Sequence, residues 1–217
     1  MKDSILIYSG GIDSTTMLYE YQSRIALAVS FDYGSNHNKK EIHYARYHTK
    51  KLNINHLIIP LNFIHQYFES SLLKGSIAIP EGKYENQNMI STVVPFRNGI
   101  MLSIAAGLAE SNKLKYIMIA NHSGDHEIYP DCRPNFISNL NKAIKNGTYA
   151  NIKLYAPYTY IKKSEIISRG AKLGIDYSKT WSCYKGEKIH CGKCSTCIER
   201  KEAFNKANIK DKTKYNS

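Results

Sequence analysis

The chain has 217 residues, an apolar content of 42% and a formal net charge of +12 at neutral pH. This composition excludes extensive disorder and predicts one substantial core, or a core domain with a small appendage. No apolar run approaches the roughly 18 residues of a membrane span, and the N-terminus lacks the features of a secretory signal, so we expect a cytoplasmic protein that has no membrane partner.

The positive charge indicates an anionic partner, such as a nucleic acid, a membrane surface or a phosphate-bearing small molecule. Lysine outnumbers arginine by 24 to 6, whereas base and phosphate recognition often uses the bidentate guanidinium group. We therefore attribute the charge to compositional bias, and we do not expect a nucleic-acid partner.

Four short apolar runs are predicted to be buried parallel strands. They span residues 4–8, 24–34, 56–61 and 115–120. Segments with helical periodicity alternate with these strands or follow them, over residues 13–23, 39–52, 96–112 and 161–173, the last of them ending at Gly174. In the third of these helices one apolar face is formed by Ile100, Met101, Ile104, Ala105 and Leu108. The alternation predicts an α/β fold with a doubly wound, mostly parallel sheet.

The remaining segments lack such periodicity. Residues 72–95 are predicted to form an irregular loop over the site, or else a plain surface connection. The segment from residue 181 onward contains most of the cysteines, and residues 208–217 are expected to fray. We predict a nucleotide-binding domain over residues 1–180 with a C-terminal segment, residues 181–217, packed on it.

The first strand is followed by the sequence SGGIDS, residues 9–14, here called the glycine loop. Its backbone N–H groups and the N-terminus of the next helix favour an anion, and Gly10 and Gly11 permit a sharp turn and close approach of phosphate oxygens. Hydroxyl donors are supplied by Ser9, Ser14 and Thr15. Asp13 is expected to cap the helix or to help hold Mg²⁺. A strand-to-helix turn without a ligand is the alternative.

The glycine loop lacks the lysine of the common phosphate-binding loop and the glycine spacing of a dinucleotide fingerprint. It resembles the loop of the PP-loop ATP pyrophosphatases. The resemblance implies that the loop binds the β- and γ-phosphates of ATP as a unit and that AMP is the group transferred. The implied ATP-binding residues are Tyr8, Ser9, Gly10, Gly11, Ile12, Asp13, Ser14, Thr15, Thr16, Met17, Leu18 and Phe31. Phe31 and Tyr33 lie where such a sheet places an adenosine, or are core residues.

Four of the five cysteines have the spacing C-x7-C-x2-C-x2-C, namely Cys183, Cys191, Cys194 and Cys197. In a reducing compartment such a cluster favours a metal over disulfides. Four thiolates complete a tetrahedral shell, so we predict a structural Zn²⁺ that attaches the C-terminal segment, with His190 outside the shell. An iron–sulfur cluster is the alternative. Cys132 is predicted to line a pocket or to be a simple buried thiol.

Further polar residues stand at the starts of helices and after the fourth strand. Arg97 begins a helix and can meet an anion with both its charge and the helix dipole. Lys163 can supply the phosphate-facing cation that the glycine loop lacks, or is a surface lysine. Residues 121–134 follow a strand where an open sheet places its ligand. Four residues of this stretch are candidate ligands of a substrate or a metal, namely His122, Asp125, Asp131 and Arg133. The alternative for each is a loop residue with local hydrogen bonds.

The chain resembles the 7-cyano-7-deazaguanine synthase family of the queuosine and archaeosine precursor pathway. The stretches that carry the resemblance are, in order, YSGGIDSTT, FDYG, VPFRN, YPDC, TWSCYKG and CGKCSTCIERKEAF. The resemblance covers nearly the whole chain. It implies a homodimeric ligase with an adenine nucleotide alpha hydrolase-like fold, which uses ATP, Mg²⁺ and structural Zn²⁺. The implied reaction converts 7-carboxy-7-deazaguanine and ammonia to the nitrile preQ0, releasing AMP and pyrophosphate.

The resemblance also implies roles for individual residues. Arg97 and Lys163 are implied to be catalytic, because they stabilise charge that gathers on phosphate. The implied deazapurine-binding residues are His122, Asp125, Tyr129, Asp131 and Arg133. The stretches NHSGDHEIYPDC and VPFRNG match a second subgroup of the family, which differs from the commoner pattern at the substrate contacts.

Two other classes of function remain open from the sequence. The first is another PP-loop enzyme, which adenylates tRNA or which attaches the deazapurine to a protein instead of releasing a nitrile; a tRNA enzyme needs an RNA-binding extension or a sulfur-carrying cysteine pair that we do not find. The second is a non-catalytic, zinc-containing module that binds nucleic acid. Steep salt-dependent binding of RNA or DNA without ATP turnover would distinguish it.

Overall fold

Five strands form one parallel sheet in the computed structural model, which describes residues 2–76, 78–82 and 87–216. The strands are β1 Ser4–Ile7, β2 Ile25–Asp32, β3 Asn55–Pro60, β4 Tyr116–Met118 and β5 Lys153–Tyr155. Their order is β3-β2-β1-β4-β5, and every neighbouring pair is parallel. The order reverses between β1 and β4, so their carboxyl ends flank the crevice in which open sheets bind ligands.

The α-helices connect and follow the strands. They are α1 Ile12–Glu20, α2 Asn38–Lys51, α3 Asn62–Tyr67, α4 Arg97–Ser111, α5 Pro134–Asn146, α6 Lys163–Lys172 and α7 Ser195–Lys206. Short 3-10 helices span Gln87–Thr92, Ser123–Asp125, Pro130–Cys132 and Tyr177–Lys179. All four predicted strands and all four predicted helices are confirmed, whereas β5, α3, α5 and α7 were not predicted.

Helices cover both faces of the sheet, which confirms the doubly wound architecture. Because side chains alternate along a strand, Ile5 of β1 packs with residues of α4 and α5, whereas Leu6 packs with residues of α1, α2 and α6. Both side chains are fully buried. The sheet is therefore buried on both faces, as the continuous apolar strands indicate.

Helix α4 lies on the face with Ile5 and is the most apolar of the long helices. Its predicted apolar face is confirmed in part: Met101 and Ala105 are buried, whereas Ile100 and Ile104 are only half-buried against the core. The centre of the buried face lies further round the helix, at Leu102, Ala105, Ala106 and Ala109. These small residues allow the helix to approach the sheet closely.

The segment Met89–Ser111, which contains α4, is long and apolar enough to cross a membrane by length and composition alone. Half of an apolar 18-residue window within it is buried inside the protein, and α4 packs against β1 and β4. It therefore has the contacts of a core helix.

The C-terminal segment packs on the α/β domain through α7. Phe204 of α7 shares a buried cluster with Ile12 of α1 and Ile167 of α6. The expectation that the last residues fray is wrong for residues 208–216, because Arg200, which is fully buried, donates to Asp211 over 3.1 Å and to Thr213 over 2.7 Å. These buried charge-assisted hydrogen bonds hold the tail against α7.

The insert at residues 72–95 is irregular apart from its 3-10 helix, as predicted; residue 77 and residues 83–86 lie outside the described part. Gly82 donates to the carbonyl of Lys193, which ties the insert to the C-terminal segment. Thr92 is within 3.2 Å of the hydroxyl of Tyr129. The described residues of the insert do not line the cavity at the switch point, although Thr92 contacts Tyr129, which does.

Candidate active site

A cavity of about 240 Å³ opens at the carboxyl ends of β1 and β4, where the strand order reverses. An open α/β sheet binds its ligand at this position. The walls come from the glycine loop, the ends of β2 and β4, the first turns of α2, α4 and α6, and the C-terminal segment. The cavity therefore brings together residues that are more than 180 positions apart in the chain, such as Ser9 and Thr196.

The glycine loop turns sharply between β1 and α1. Gly10 has a φ of +86°, and a Cβ at this residue would lie 2.4 Å from the carbonyl oxygen of Glu41. Glycine is therefore required both by the backbone conformation and by the close packing of α2. The Ser9 and Ser14 hydroxyls are 3.0 Å apart, and Gly11 N–H donates to the Ser9 hydroxyl over 3.2 Å.

The predicted ATP-binding residues divide into two groups. Those that line the cavity are Tyr8, Ser9, Gly11, Ile12, Asp13, Ser14 and Phe31. Those that do not are Gly10, Thr15, Thr16, Met17 and Leu18. The four residues of α1 in the second group are fully buried, and the Thr16 hydroxyl is 2.8 Å from that of Tyr177. Their side chains stabilise the helix that carries the loop.

Lys163, the first residue of α6, lines the cavity beside the glycine loop. Its Nζ lies 3.3 Å from Asp13 Oδ2 and 2.7 Å from Glu199 Oε2. Burial alone would lower the pKa of Lys163, but the carboxylates of Asp13 and Glu199 raise it above its ordinary value. The side chain is therefore a fixed cation, which confirms that it is not a solvated surface lysine.

His122 lies behind Lys163. Its Nδ1 accepts a hydrogen bond from Gly124 N–H over 3.0 Å, so the ring proton is on Nε2. This Nε2 lies 3.5 Å from Asp125 Oδ1 and 3.7 Å from Glu199 Oε1. Because both groups are donors, its 3.3 Å contact with Lys163 Nζ is not a hydrogen bond. His122 is nearly fully buried and does not line the cavity itself.

Arg97, the first residue of α4, also lines the cavity. Its guanidinium donates to the Tyr33 hydroxyl over 3.0 Å and lies over the Tyr33 ring. The preceding residue, Phe96, has a φ of +51°, a conformation that favours glycine. A Cβ at Gly99 would lie 2.4 Å from the Phe96 ring, so Gly99 leaves the space that this ring occupies.

The other predicted substrate-binding residues have separate positions. Asp125 and Tyr129 line the cavity. Asp131 instead accepts from Asn98 N–H over 2.8 Å, and so caps α4. Arg133 is exposed and donates to the His126 carbonyl.

Cys132 satisfies both interpretations made from the sequence. It is a buried thiol and also lines the cavity. Asn98 Nδ2 lies 3.1 Å from its sulfur, and burial raises the pKa of the thiol well above its ordinary value.

The start of α2 adds two cavity residues to which the sequence analysis gave no individual role, His37 just before the helix and Glu41 in its first turn. Burial raises the pKa of Glu41 to about 8. Burial lowers the pKa of His37 to about 4. The spacing of the two residues, i and i+4 on a helix that follows the FDYG stretch, is a signal that was available from the sequence.

The C-terminal segment forms a whole wall of the cavity, which the sequence analysis also missed. Trp181 N–H donates to the carbonyl of Gly10 over 3.1 Å. Tyr184 and Ser182 line the cavity, and the Tyr184 hydroxyl is 2.8 Å from that of Tyr129. The stretch TWSCYKG contains these residues, but nothing in its local pattern predicts that it returns to the glycine loop.

The four clustered cysteines lie behind this wall and are buried. All four Sγ atoms lie within 4.8 Å of one another, with 3.9 Å between Cys191 and Cys197 and 4.0 Å between Cys183 and Cys194. A tetrahedral site with zinc–sulfur bonds of about 2.3 Å needs sulfur separations of about 3.8 Å, so the cluster fits Zn²⁺. His190 is outside it, with its Nε2 accepting from Ser182 N–H.

Comparisons with known proteins agree over the whole chain. A family model described as queuosine biosynthesis protein QueC matches residues 3–208. The chain is 58% identical to the 7-cyano-7-deazaguanine synthase of Porphyromonas gingivalis strain W83, covering 99% of this chain and 97% of that protein. It is 48% identical to the enzyme of the same name from Desulfotalea psychrophila, covering 99% of each.

Two solved structures share the fold. NMN synthetase from Francisella tularensis matches with a TM-score of 0.55 at 11% identity, covering 96% of this chain and 78% of that one. The NH3-dependent NAD synthetase from Campylobacter jejuni matches with a TM-score of 0.50 at 17% identity, covering 95% and 75%. At these identities the likeness concerns the fold alone.

Proposed function

The chain belongs to the QueC family of queuosine biosynthesis proteins, and from this premise we propose that it is the carbon–nitrogen ligase that makes 7-cyano-7-deazaguanine. The substrates are 7-carboxy-7-deazaguanine, ammonia and ATP. The carboxylate attacks the α-phosphorus of ATP and releases pyrophosphate, and ammonia then displaces AMP to form the amide. A second adenylation, on the amide oxygen, allows that oxygen to leave as AMP while the nitrile forms.

One observation carries the proposal: the glycine loop, Arg97 and Lys163 line one cavity at the switch point of the sheet. Backbone N–H groups of the loop bind the β- and γ-phosphates and leave the α-phosphorus open to an attacking oxygen. Lys163 and Arg97 approach from other walls and stabilise the charge that develops on phosphate. The direct ATP contacts are those predicted residues that line the cavity, and Thr15 to Leu18 support them from within α1.

Asp13 is suited to hold Mg²⁺. Its Oδ2 faces Lys163, whereas its Oδ1 is buried and has no hydrogen-bond partner among the described residues. A carboxylate oxygen is a preferred ligand of this ion. When bound, Mg²⁺ neutralises phosphate oxygens. Asp13 would then pair with the Lys163 ammonium through Oδ2 and bind the metal through Oδ1.

Residues on the β4 side of the cavity bind the deazapurine. Asp125 and Tyr129 line this side, as does Asn121, whose buried Oδ1 has no hydrogen-bond partner among the described residues. The guanine-like edge of the substrate offers N–H donors that such acceptors satisfy. His122 and Asp131 do not contact the deazapurine in this proposal. His122 orients Asp125, and Asp131 holds the first turn of α4.

Zn²⁺ bound by the four cysteines holds the C-terminal segment, residues 181–217, against the nucleotide-binding domain, residues 1–180. Two observations support this attachment: the buried sulfur cluster, and the buried side-chain cluster that α7 shares with α1 and α6. We place the reaction in the cytoplasm, where ATP is available and where thiols stay reduced. The homodimeric state is proposed from the family resemblance.

The test is a turnover assay. The purified protein is incubated with ATP, Mg²⁺, ammonium and 7-carboxy-7-deazaguanine, and the nucleotide and deazapurine products are identified by mass. We expect AMP, pyrophosphate and the nitrile, with two ATP consumed for each nitrile. ADP as the nucleotide product contradicts the assigned role of the glycine loop, and AMP with the amide alone limits the enzyme to the first half of the reaction.

A further inference from the structure

The proposed reaction releases protons from nitrogen, and this requires an acceptor in the cavity. When ammonia attacks the adenylated carboxylate, the carbon–nitrogen bond forms, the carbon–oxygen bond to AMP breaks, and one proton leaves nitrogen. When the adenylated amide collapses to the nitrile, the second carbon–oxygen bond to AMP breaks and two further protons leave nitrogen. No oxidant or reductant is needed. Each proton must pass to a group with a free lone pair.

Most titratable groups of the cavity cannot take that proton at neutral pH. Arg97 and Lys163 are fixed cations, because nearby anionic and polar groups raise their pKa values against the effect of burial. Burial raises the pKa values of Tyr33 and Tyr184, and of the Cys132 thiol, so these groups keep their own protons.

Two of the three cavity carboxylates are engaged with donors. Asp13 pairs with Lys163 at 3.3 Å. Asp125 accepts from the backbone N–H of His122 over 3.0 Å and lies 3.5 Å from Nε2 of the same residue. The carboxylate oxygens that face Lys163 and His122 are thus already accepting or pairing with a donor. The remaining oxygen of Asp13, Oδ1, has no hydrogen-bond partner among the described residues but is the one proposed above to hold Mg²⁺, so we assign the proton to neither carboxylate.

Glu41 is different. Glu41 lines the cavity with a side-chain exposure of 17%. Nε2 of the neutral His37 lies 3.8 Å from Glu41 Oε2, beyond hydrogen-bond distance, and the charge of Arg97 lowers the pKa of the Glu41 carboxyl less than burial raises it. Its backbone carbonyl packs against Gly10, so the residue stands beside the glycine loop. Glu41 is therefore close to the glycine loop, and no hydrogen bond among the described residues ends on its carboxylate oxygens.

We propose that the Glu41 carboxylate is the general base of the nitrogen steps, accepting the proton that ammonia loses as the amide forms and then the protons that the amide loses as the nitrile forms. This inference rests on the proposed function. Burial raises the pKa of Glu41 to about 8, so the carboxylate is a stronger base than an ordinary glutamate, and the fraction that is ionised and able to accept a proton rises from about a tenth at pH 7 to most of the protein above pH 8. His37, with its pKa lowered to about 4 by burial, is too weak a base for the same role.

The test separates adenylation from nitrogen transfer in the variant Glu41→Gln. Adenylation is followed as exchange of labelled pyrophosphate into ATP, with 7-carboxy-7-deazaguanine present and ammonium omitted. Nitrogen transfer is followed as amide and nitrile formed from ammonium. We expect exchange within about twofold of wild type and a fall in nitrogen transfer of about 100-fold or more, the usual contribution of a general base. Glu127→Gln, at an exposed acid outside the cavity, is the control and should match wild type in both assays.

Hydroxylamine provides the second readout, because it is a stronger nucleophile than ammonia and remains unprotonated at neutral pH. Hydroxamate formation by Glu41→Gln should stay within about fivefold of wild type. Glu41→Asp should restore part of the ammonia-dependent rate. Two outcomes for Glu41→Gln overturn the inference: loss of pyrophosphate exchange together with amide formation, and amide formation that is unchanged from wild type. Absence of exchange in the wild-type protein overturns the proposed function itself and this inference with it.

The pH profile is the third readout. The rate, corrected for the concentration of free ammonia, should rise with an apparent pKa near 8 in wild type, and this rise should be absent in Glu41→Gln. Other charged and titratable groups line the cavity with Glu41, among them His37 before α2, Tyr33 after β2, Arg97 of α4, Tyr184 of the C-terminal segment, Asp13 and Lys163 beside the glycine loop, and Asp125, Tyr129 and Cys132 after β4. An unchanged profile in the variant overturns the assignment.

Discussion

Lys163 Nζ lies 2.7 Å from Glu199 Oε2, and this contact joins the first residue of α6 to the first turns of α7. Both side chains are largely buried, with exposures of 15% and 16%. Because α7 begins within the cysteine cluster and carries Cys197, the position of the Lys163 ammonium depends on the fold of the C-terminal segment. The segment thus contributes to the site as well as to stability.

The first prediction concerns this ion pair. Glu199→Gln keeps the shape of the side chain but removes its charge, so Lys163 loses its shortest contact and becomes less well oriented. A hydrogen bond to a charged group contributes about 1.5–3 kcal/mol, which predicts a fall in kcat/KM for ATP of about tenfold or more. Steady-state pyrophosphate release measures this effect.

Glu202→Gln is the matched control on the same helix. Glu202 is half-exposed and its contact with Lys206 is 3.9 Å long, so this change should leave kcat/KM within about twofold of wild type. Equal losses in the two variants would show that charge on α7, and not the contact with Lys163, is what matters.

The second prediction concerns the metal. The wild-type protein should contain one Zn²⁺ per chain, and Cys194→Ser should contain less, because a hydroxyl is a poor replacement for a thiolate ligand. Since the metal stabilises the fold that presents its ligands, a loss of about 3 kcal/mol lowers the melting temperature by about 6–12 °C. Adenylation should fall too, because Trp181, Tyr184 and Thr196 lose their positions in the wall.

Cys132→Ser is the control for the metal site. Cys132 is buried but is not part of the cluster, so the zinc content of Cys132→Ser should equal that of wild type. Metal analysis and differential scanning calorimetry test both variants. A full complement of zinc in Cys194→Ser would contradict the four-cysteine site.

Local rules predicted the parts of the site that lie within one strand–loop–helix unit. The glycine loop follows from two glycines after an apolar strand, and Arg97 and Lys163 each stand at the start of a periodic helix. The contacts that complete the site do not follow local rules. Glu199 reaches Lys163 across 36 residues, and Asp131 caps α4 from 33 residues away. Such contacts depend on how the whole chain packs.

The missed elements have similar reasons. β5 is as short as β4, at three residues, but its sequence KLY includes a lysine, whereas β4 lies in the continuous apolar run YIMIA. α7 begins among the cysteines, so the metal-binding pattern concealed the helical one. The fraying expected of the tail did not allow for Arg200, a buried cation that needs the carboxylate of Asp211.

The third prediction concerns the backbone of the glycine loop. Gly10→Ala places a methyl group against the Glu41 carbonyl and forces an L-residue to adopt positive φ, which costs about 1–2 kcal/mol from the conformation alone. We expect a loss of about 2 kcal/mol or more in the free energy of unfolding and no detectable pyrophosphate exchange. Gly107→Ala, where a Cβ meets nothing within 4 Å on the exposed side of α4, should stabilise the protein by about 0.5–1 kcal/mol. Urea unfolding compares the two; a neutral Gly10→Ala contradicts the close packing.

The last prediction concerns the pH dependence of stability through Asp211. Burial alone would raise the pKa of Asp211, but Arg200 and the hydrogen bond from Tyr215 lower it below its ordinary value. A carboxyl group whose pKa is lower in the folded state contributes stability that is fully present above its unfolded pKa and is lost as the pH falls through the folded pKa. Asp211→Asn should therefore lower the free energy of unfolding by about 1–3 kcal/mol at neutral pH.

The difference between wild type and Asp211→Asn should then shrink as the pH falls below about 4, the ordinary pKa of an aspartate. Protonation of the cysteine ligands destabilises both proteins alike and cancels in this difference. Urea titrations at neutral and acidic pH measure it. A difference that stays constant across that range would mean that Asp211 stabilises the tail through its shape and hydrogen bonds and not through its charge, since only the charge is titrated by acid.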